Sequence, residues 1–247
     1  MKPSLVIAAA AVLVSTMANA AEIRVLSSNA IKEAYLELVP QFEKATEHKV
    51  TTTWAPTVEI MKRMAAGETF DLVIMSADGI EKLTRDGKLV AGSRVDLVKS
   101  GIGVAVRKGA AKPDLSSGEA VKQALLAVKS IGYSTGPSGV YLGGLFGRMG
   151  IAEEIKSKVK VVTPGVPVGT LVASGEVEIG FQQVSELLPV AGIDYVGPLP
   201  GDIQHISVFA GALHTGATNA DGAKAWVKFI TAPAAVPVIK AKGLEPG

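Results

Sequence analysis

The sequence predicts an α/β chain built as two lobes, each a mainly parallel sheet flanked by helices, joined by two extended hinge crossings. Three observations carry this prediction. Apolar runs of strand length alternate with stretches of helical periodicity along nearly the whole chain. One run, RVDLVKSGIGVAVRKG (Arg94–Gly109), is too long for a single sheet and is broken by Gly101 and Gly103, as expected of a passage between sheets. A second extended run, HISVFAGAL (His205–Leu213), has the strength to return the chain to the first lobe. These features place lobe I at residues 21–102 plus 205–247 and lobe II at 103–204.

The elements follow in order. IRVL (Ile23–Leu26) reads as a buried strand, and Ala30 to Thr46 carries Ile31, Ala34, Tyr35, Leu38, Val39 and Phe42 at helical spacing. The β-branched KVTTTW (Lys49–Trp54) is a strand that ends before Pro56, and Val58 to Ala66 is a helix stopped by Gly67. FDLVIMS (Phe70–Ser76) is almost entirely apolar, as a strand covered on both faces must be, and a short helix from Asp78 to Asp86 follows. Beyond the long crossing come a helix (Ser117–Lys129), the strand SIGYS (Ser130–Ser134), the loop TGPSG, and a helix from Val140 to Met149. KVKVVT, a helix through Ala173, VEIGFQQ (Val177–Gln183) and IDYVGPLP complete that lobe. After the return crossing, an amphipathic helix (Ala220–Ile230) and a short one beyond Pro233 close the chain. Parallel strands joined by helices imply right-handed crossovers.

The ends and composition narrow the function. Lys2 precedes an apolar run from Leu5 to Val14 and the small-x-small triplet Ala18-Asn19-Ala20, which reads as a signal peptide over residues 1–20 cut after Ala20. The apolar run is about half the ~20 residues that span a bilayer, so no membrane insertion is expected. The protein is therefore expected in the periplasm as a monomer. The chain has no cysteine, which excludes disulfides and thiolate chemistry. Lys+Arg and Asp+Glu number 25 and 23, a balance that argues against nucleic acid.

Four strand-to-helix junctions carry small polar residues or glycine: Ser27-Ser28-Asn29, Pro56-Thr57, Ser134 to Gly139 and Pro164-Gly165-Val166. Each aims helix N-terminal N–H groups and hydroxyls beyond a strand end, where an anion is favoured. Any one of them is also an ordinary helix cap; four together, two in each lobe, point to a cleft site. The histidines His48, His205 and His214 have no metal-ligand spacing, and no metal or cofactor is expected. Arg24, Arg63 and Arg107 are read as solvated, and ELLP and AEEIKSK as helix surface charge.

The order and spacing of IRVLSSNAIKEAY, IMKRMAAGETFDLVIMSA, IGYSTGPSGVY, LVASGEVEIGF, VGPLP and KAWVKFITAPAAVPVIKAKGLEP resemble the molybdate-type periplasmic substrate-binding proteins of ABC transporters over nearly the whole mature length. The resemblance implies the type II solute-binding fold, an oxyanion held by hydroxyls and backbone N–H groups, and delivery to an inner-membrane ABC permease. It implies ligand contacts from Ser27, Ser28 and Asn29, from Thr57 in the second loop, from Ser76 at the end of the IMS strand, from Thr135 and Ser138, and from Gly165 or Val166. Two positions depart from the family pattern. Ala30 stands where a serine is usual, and Gln183, beside Gln182, stands where a tyrosine is usual. An amide both donates and accepts, so Gln183 implies a cargo with its own donor, such as a hydroxylated or amide-bearing organic anion.

The expected function is capture of a small anion, a molybdate-like oxyanion or an organic acid, without catalysis. The alternatives are an enzyme on the same scaffold, an isomerase or hydrolase, and an orphan sensor. The enzyme reading lacks a base with a partner: Glu59, Asp78 and Glu186 lie near the right loops but none has one in the sequence.

Overall fold

The computed structural model describes residues 22–163 and 165–247; the expected signal peptide lies outside them. Strand β1 (Glu22–Ser27) leads through a 3-10 turn (Asn29–Ile31) into α1 (Lys32–Thr46), then β2 (Lys49–Trp54), α2 (Thr57–Ala65), β3 (Leu72–Ser76) and α3 (Ala77–Arg85). The long β4 (Val95–Arg107) precedes α4 (Gly118–Ala127), β5 (Ile131–Tyr133), α5 (Pro137–Arg148), α6 (Ala152–Ile155), β6 (Val159–Val161), α7 (Val168–Ser174), β7 (Ile179–Gln183) and α8 (Val184–Leu187). The chain ends with β8 (Ile193–Pro198), β9 (Ile206–Leu213), α9 (Ala220–Ile230), α10 (Val236–Ala241) and β10 (Glu245–Pro246).

The strands run in the order β2-β1-β3-β9-β4-β7-β5-β6. Two parallel trios, β2-β1-β3 and β6-β5-β7, stand at the two ends of this order. Between them β9 and β4 pair antiparallel with their neighbours. β4 changes partner along its length: Val95–Gly101 pairs with β9 and Ile102–Val106 with β7, so this single strand belongs to both halves.

Strand alternation explains the cores. In β3, Ile74 faces a cluster with Tyr35, Leu38 and Phe42 of α1 and Trp226 of α9, whereas Val73 and Met75 face Ile60 and Met64 of α2 and Ile80 and Leu83 of α3. Successive side chains leave opposite faces of a strand, so a strand buried between helix layers has to be apolar at every position. The second half repeats the plan, with Ile131 and Phe181 packed on Leu142, Leu145 and Phe146 of α5. On the other face α7 lies so close to β7 that a Cβ at Gly180 would sit 2.4 Å from Val172 Cγ2.

Helix α5 begins three residues before the expected Val140. Pro137 occupies its first turn, where the missing N–H costs nothing. Gly139 permits that early start, since a Cβ there would stand 1.5 Å from the Ser134 carbonyl oxygen.

Candidate functional site

The parallel strands of both trios end on one side of the sheet, where ligands gather in open α/β folds. There a cleft of about 370 Å³ opens between the halves. All four predicted junctions contribute to it. Ser28, Asn29, Ala30, Pro56 and Thr57 form one wall, and Ser134 through Ser138 with Thr163, Gly165 and Val166 form the other. The floor is made by Gln182, Ser185 and Glu186 at the β7–α8 turn and by Phe209 of β9.

The local reasons differ from wall to wall. Ser28 caps the 3-10 turn, its Oγ accepting from the Ala30 N–H at 3.4 Å, which is long for a strong bond. Thr57 is the first residue of α2. Ser138, in the first turn of α5, is 1 % exposed and lines the cleft. The start of α7, on the same wall as Ser138, is closer to self-satisfied. The Val166 N–H donates to Thr163 O at 3.1 Å, Pro167 has no N–H, and the Val168 N–H donates to Gln182 Oε1 at 2.9 Å. The α7 start therefore gives few donors to the cleft, and Val166 presents its side chain, not the expected backbone donor.

Three further expectations are corrected by position. Ser27 is fully buried beneath the turn and donates to its neighbour's carbonyl, Ser28 O, at 3.2 Å. Ser76 does not line the cleft, because α3 starts at the next residue and Ser76 Oγ lies against Gly79 of its first turn. Gln183 also faces away from the cleft, since neighbouring strand residues point oppositely and Gln182 takes the cleft side. Oriented so that both ends of its amide are complemented, Gln183 accepts from the Ser207 hydroxyl at 2.9 Å and donates to Ser100 O at 3.1 Å. It ties β7 to the two central strands, and the inference of a donor-bearing cargo drawn from it falls with that placement. Ala30 does line the cleft, but through its backbone: its carbonyl accepts from Ser185 Oγ at 2.7 Å, bridging the two halves at the cleft floor.

Glu186 is the residue whose surroundings the sequence did not disclose. The segment read as surface charge is a four-residue helix that carries this carboxyl into the cleft. Burial pushes it up to about 7, and a hydrogen bond from the Gln182 side chain opposes the rise. Gln182 is itself held by the Val168 N–H on its carbonyl, which turns its amide NH₂ toward Glu186. A half-buried carboxyl titrating near neutrality can take and return a proton at working pH. Of the other acids considered, Glu59 lies 4.0 Å from Lys62 and Asp78 sits in the first turn of α3; neither lines the cleft. Arg63 pairs with Glu68 at 2.6 Å, Arg24 lies over the Phe70 ring, and Arg107 belongs to a separate groove.

The sequence profile of the bacterial extracellular solute-binding proteins matches residues 23–245. An aconitate isomerase from a Pseudomonas species is 39% identical over 228 residues, covering 90% of this chain and 87% of that protein. The molybdate-binding protein of Azotobacter vinelandii is 30% identical over 245 residues, covering 97% and 96%. The solved periplasmic molybdate-binding protein of Azotobacter vinelandii superimposes with a TM-score of 0.76 at 19% identity, over 91% of this chain and 99% of that one. The architecture is the type II periplasmic binding-protein fold, as the sequence predicted. The expectation that the chain is not an enzyme is overturned: its 39%-identical relative is one.

Proposed function

This chain belongs to the bacterial extracellular solute-binding proteins, of the molybdate-binding type, and from that premise we propose that it is a periplasmic isomerase of a small unsaturated polycarboxylate of the aconitate class. The carrying observation is Glu186 in the cleft floor. In a site that only captures a dianion, an ionisable carboxyl at the floor opposes the cargo. In a site that moves a proton, it is the group required.

Aconitate is a propene bearing three carboxylates, with a CH₂ next to the doubly bonded carbons. Ionised Glu186 removes one proton from that CH₂, whose C–H bond is acidified by its own carboxylate and, through the double bond, by a second. The electron pair spreads over the allylic carbons and into the carboxylates, and the double bond shifts. Glu186 then returns its proton to the former vinyl carbon. One C–H bond breaks and one forms, and no oxidant or cofactor enters. In the delocalised anion the old double bond has lost its rigidity, so the product emerges with either geometry. Helix starts at Ser28, Thr57 and Ser138 hold the carboxylates and stabilise the charge that grows on them. Closure of residues 103–204 onto 21–102 and 205–247 excludes water from the anion.

The test is proton NMR of the purified protein with each aconitate isomer in deuterated water. Interconversion with deuterium uptake at the exchanging carbon is expected, and its loss in Glu186→Gln. No interconversion by the wild-type protein sinks the proposal. The second reading, capture of an oxyanion for an ABC permease, is favoured by the 30% identity to a molybdate-binding protein across almost the full length. Calorimetry with molybdate separates the two: tight molybdate binding without aconitate turnover selects it.

A further inference from the structure

We propose that Lys32 is the residue that selects a tricarboxylate over a dicarboxylate, by pairing with the carboxylate that the starts of α2 and α5 leave over. The assignment rests on the function proposed above and names the chemistry of that same cleft.

Lys32 is the first residue of α1 and lines the cleft. Among the described lining residues it carries the one positive charge, against the two acids Glu33 and Glu186. It makes no ion pair within 4.0 Å among the described residues, although eleven such pairs occur elsewhere. Lys242 pairs with Glu37 of the same helix α1 at 2.8 Å, and Glu33 is only a minor influence on Lys242. A cation in the first turn of a helix is also electrostatically misplaced, because the positive end of the macrodipole repels it. Local structure thus gives no reason for a lysine here, whereas an anion in the cleft gives one. Of that anion's carboxylates, one would be met by the ammonium of Lys32 and another, across the cleft, by the start of α5, where Ser138, 1 % exposed, lines the cleft. A lysine suits this role as a flexible point charge that can follow one carboxylate.

The experiment compares two ligands that cannot react: propane-1,2,3-tricarboxylate, and pentanedioate, which has the same five-carbon chain without the central carboxylate. Binding of each is measured by calorimetry to the wild-type protein, Lys32→Gln and Lys32→Arg, with aconitate turnover followed on the same samples. Lys32→Gln is expected to weaken the tricarboxylate about 10-fold or more, the usual range for a lost charged contact, and pentanedioate less than about 2-fold. Lys32→Arg is expected to recover most of the loss. The salt dependence of tricarboxylate binding should flatten in Lys32→Gln, and turnover should show a raised KM with kcat little changed. Equal weakening of both ligands, or none, overturns the assignment while wild-type turnover leaves the isomerase standing. Charge-dependent tricarboxylate binding without turnover upholds Lys32 and sinks the isomerase. No tricarboxylate binding by the wild-type protein sinks both.

Discussion

Two carboxyls mark opposite ends of the same sheet system, and they are displaced in opposite directions from their ordinary pKa values. Asp71 precedes β3, at the end away from the cleft, and is 1 % exposed. Burial pushes it up, but the Arg24, Asn219 and Thr218 N–H groups, at 2.7, 2.7 and 2.8 Å, and the Thr218 hydroxyl together hold it below its usual value. Glu186 stands past the other strand ends, where burial meets a single opposing amide and wins. Burial acts on both groups; the number of donors decides the outcome. An acid surrounded by backbone N–H groups is pinned as an anion and ties β1, β3 and the start of α9 together. An acid left with one donor stays near the balance between its two forms, the condition for proton transfer.

The comparison can be broken most directly at the chemistry. Glu186→Gln is expected to lower aconitate turnover by about 10²–10⁴-fold, the usual contribution of a general base, with the fold intact by circular dichroism. Asp71→Asn should leave turnover of the folded fraction within about 3-fold. In stability the roles reverse. Asp71→Asn removes a charged acceptor from buried donors and is expected to cost about 2–3 kcal/mol in urea unfolding; Glu186→Gln should stabilise the protein by about 1–2 kcal/mol at pH 8. A destabilised Glu186→Gln would mean that the carboxylate is paired after all.

The pH dependence sharpens the same contrast. Glu186 has its folded value above the ordinary 4.5, so its stabilisation is full below 4.5 and is lost as pH rises toward about 7. Asp71 has its folded value below 3.8, so its stabilisation is present above 3.8 and is lost as pH falls through the folded value. Unfolding free energies between pH 2 and 8 should show both slopes in the wild-type protein, with each variant lacking one. The smallest expected effect is at Gln182. Gln182→Met removes the opposing hydrogen bond, so the rising limb of kcat/KM against pH should move to higher pH. An unmoved limb would show that Gln182 does not hold the base.

Most of the architecture was readable because it depends on short-range repetition. Apolar alternation and helical spacing located the strands and major helices, and the glycine-broken Arg94–Gly109 run marked the strand that β7 and β9 share. Small polar residues at four strand ends pointed to the cleft they line. The site residues were readable only to the loop. Ser27 and Ser28 are neighbours, as are Gln182 and Gln183, and in each pair one faces the cleft while the other is buried behind it. A frame shift of one residue reverses such an assignment.

What the sequence by itself determined, then, is the alternation of strands and helices and the polar strand ends, since both follow from propensity and periodicity within a dozen residues. The tertiary structure alone decided that the Glu186 carboxyl is carried into the cleft floor with one opposing amide, and that Lys32 lines the cleft with no ion-pair partner among the described residues. A four-residue helix has no period to read. A carboxyl's protonation depends on the donors and dielectric around it, and for Glu186 those surroundings are assembled from segments far apart in the chain.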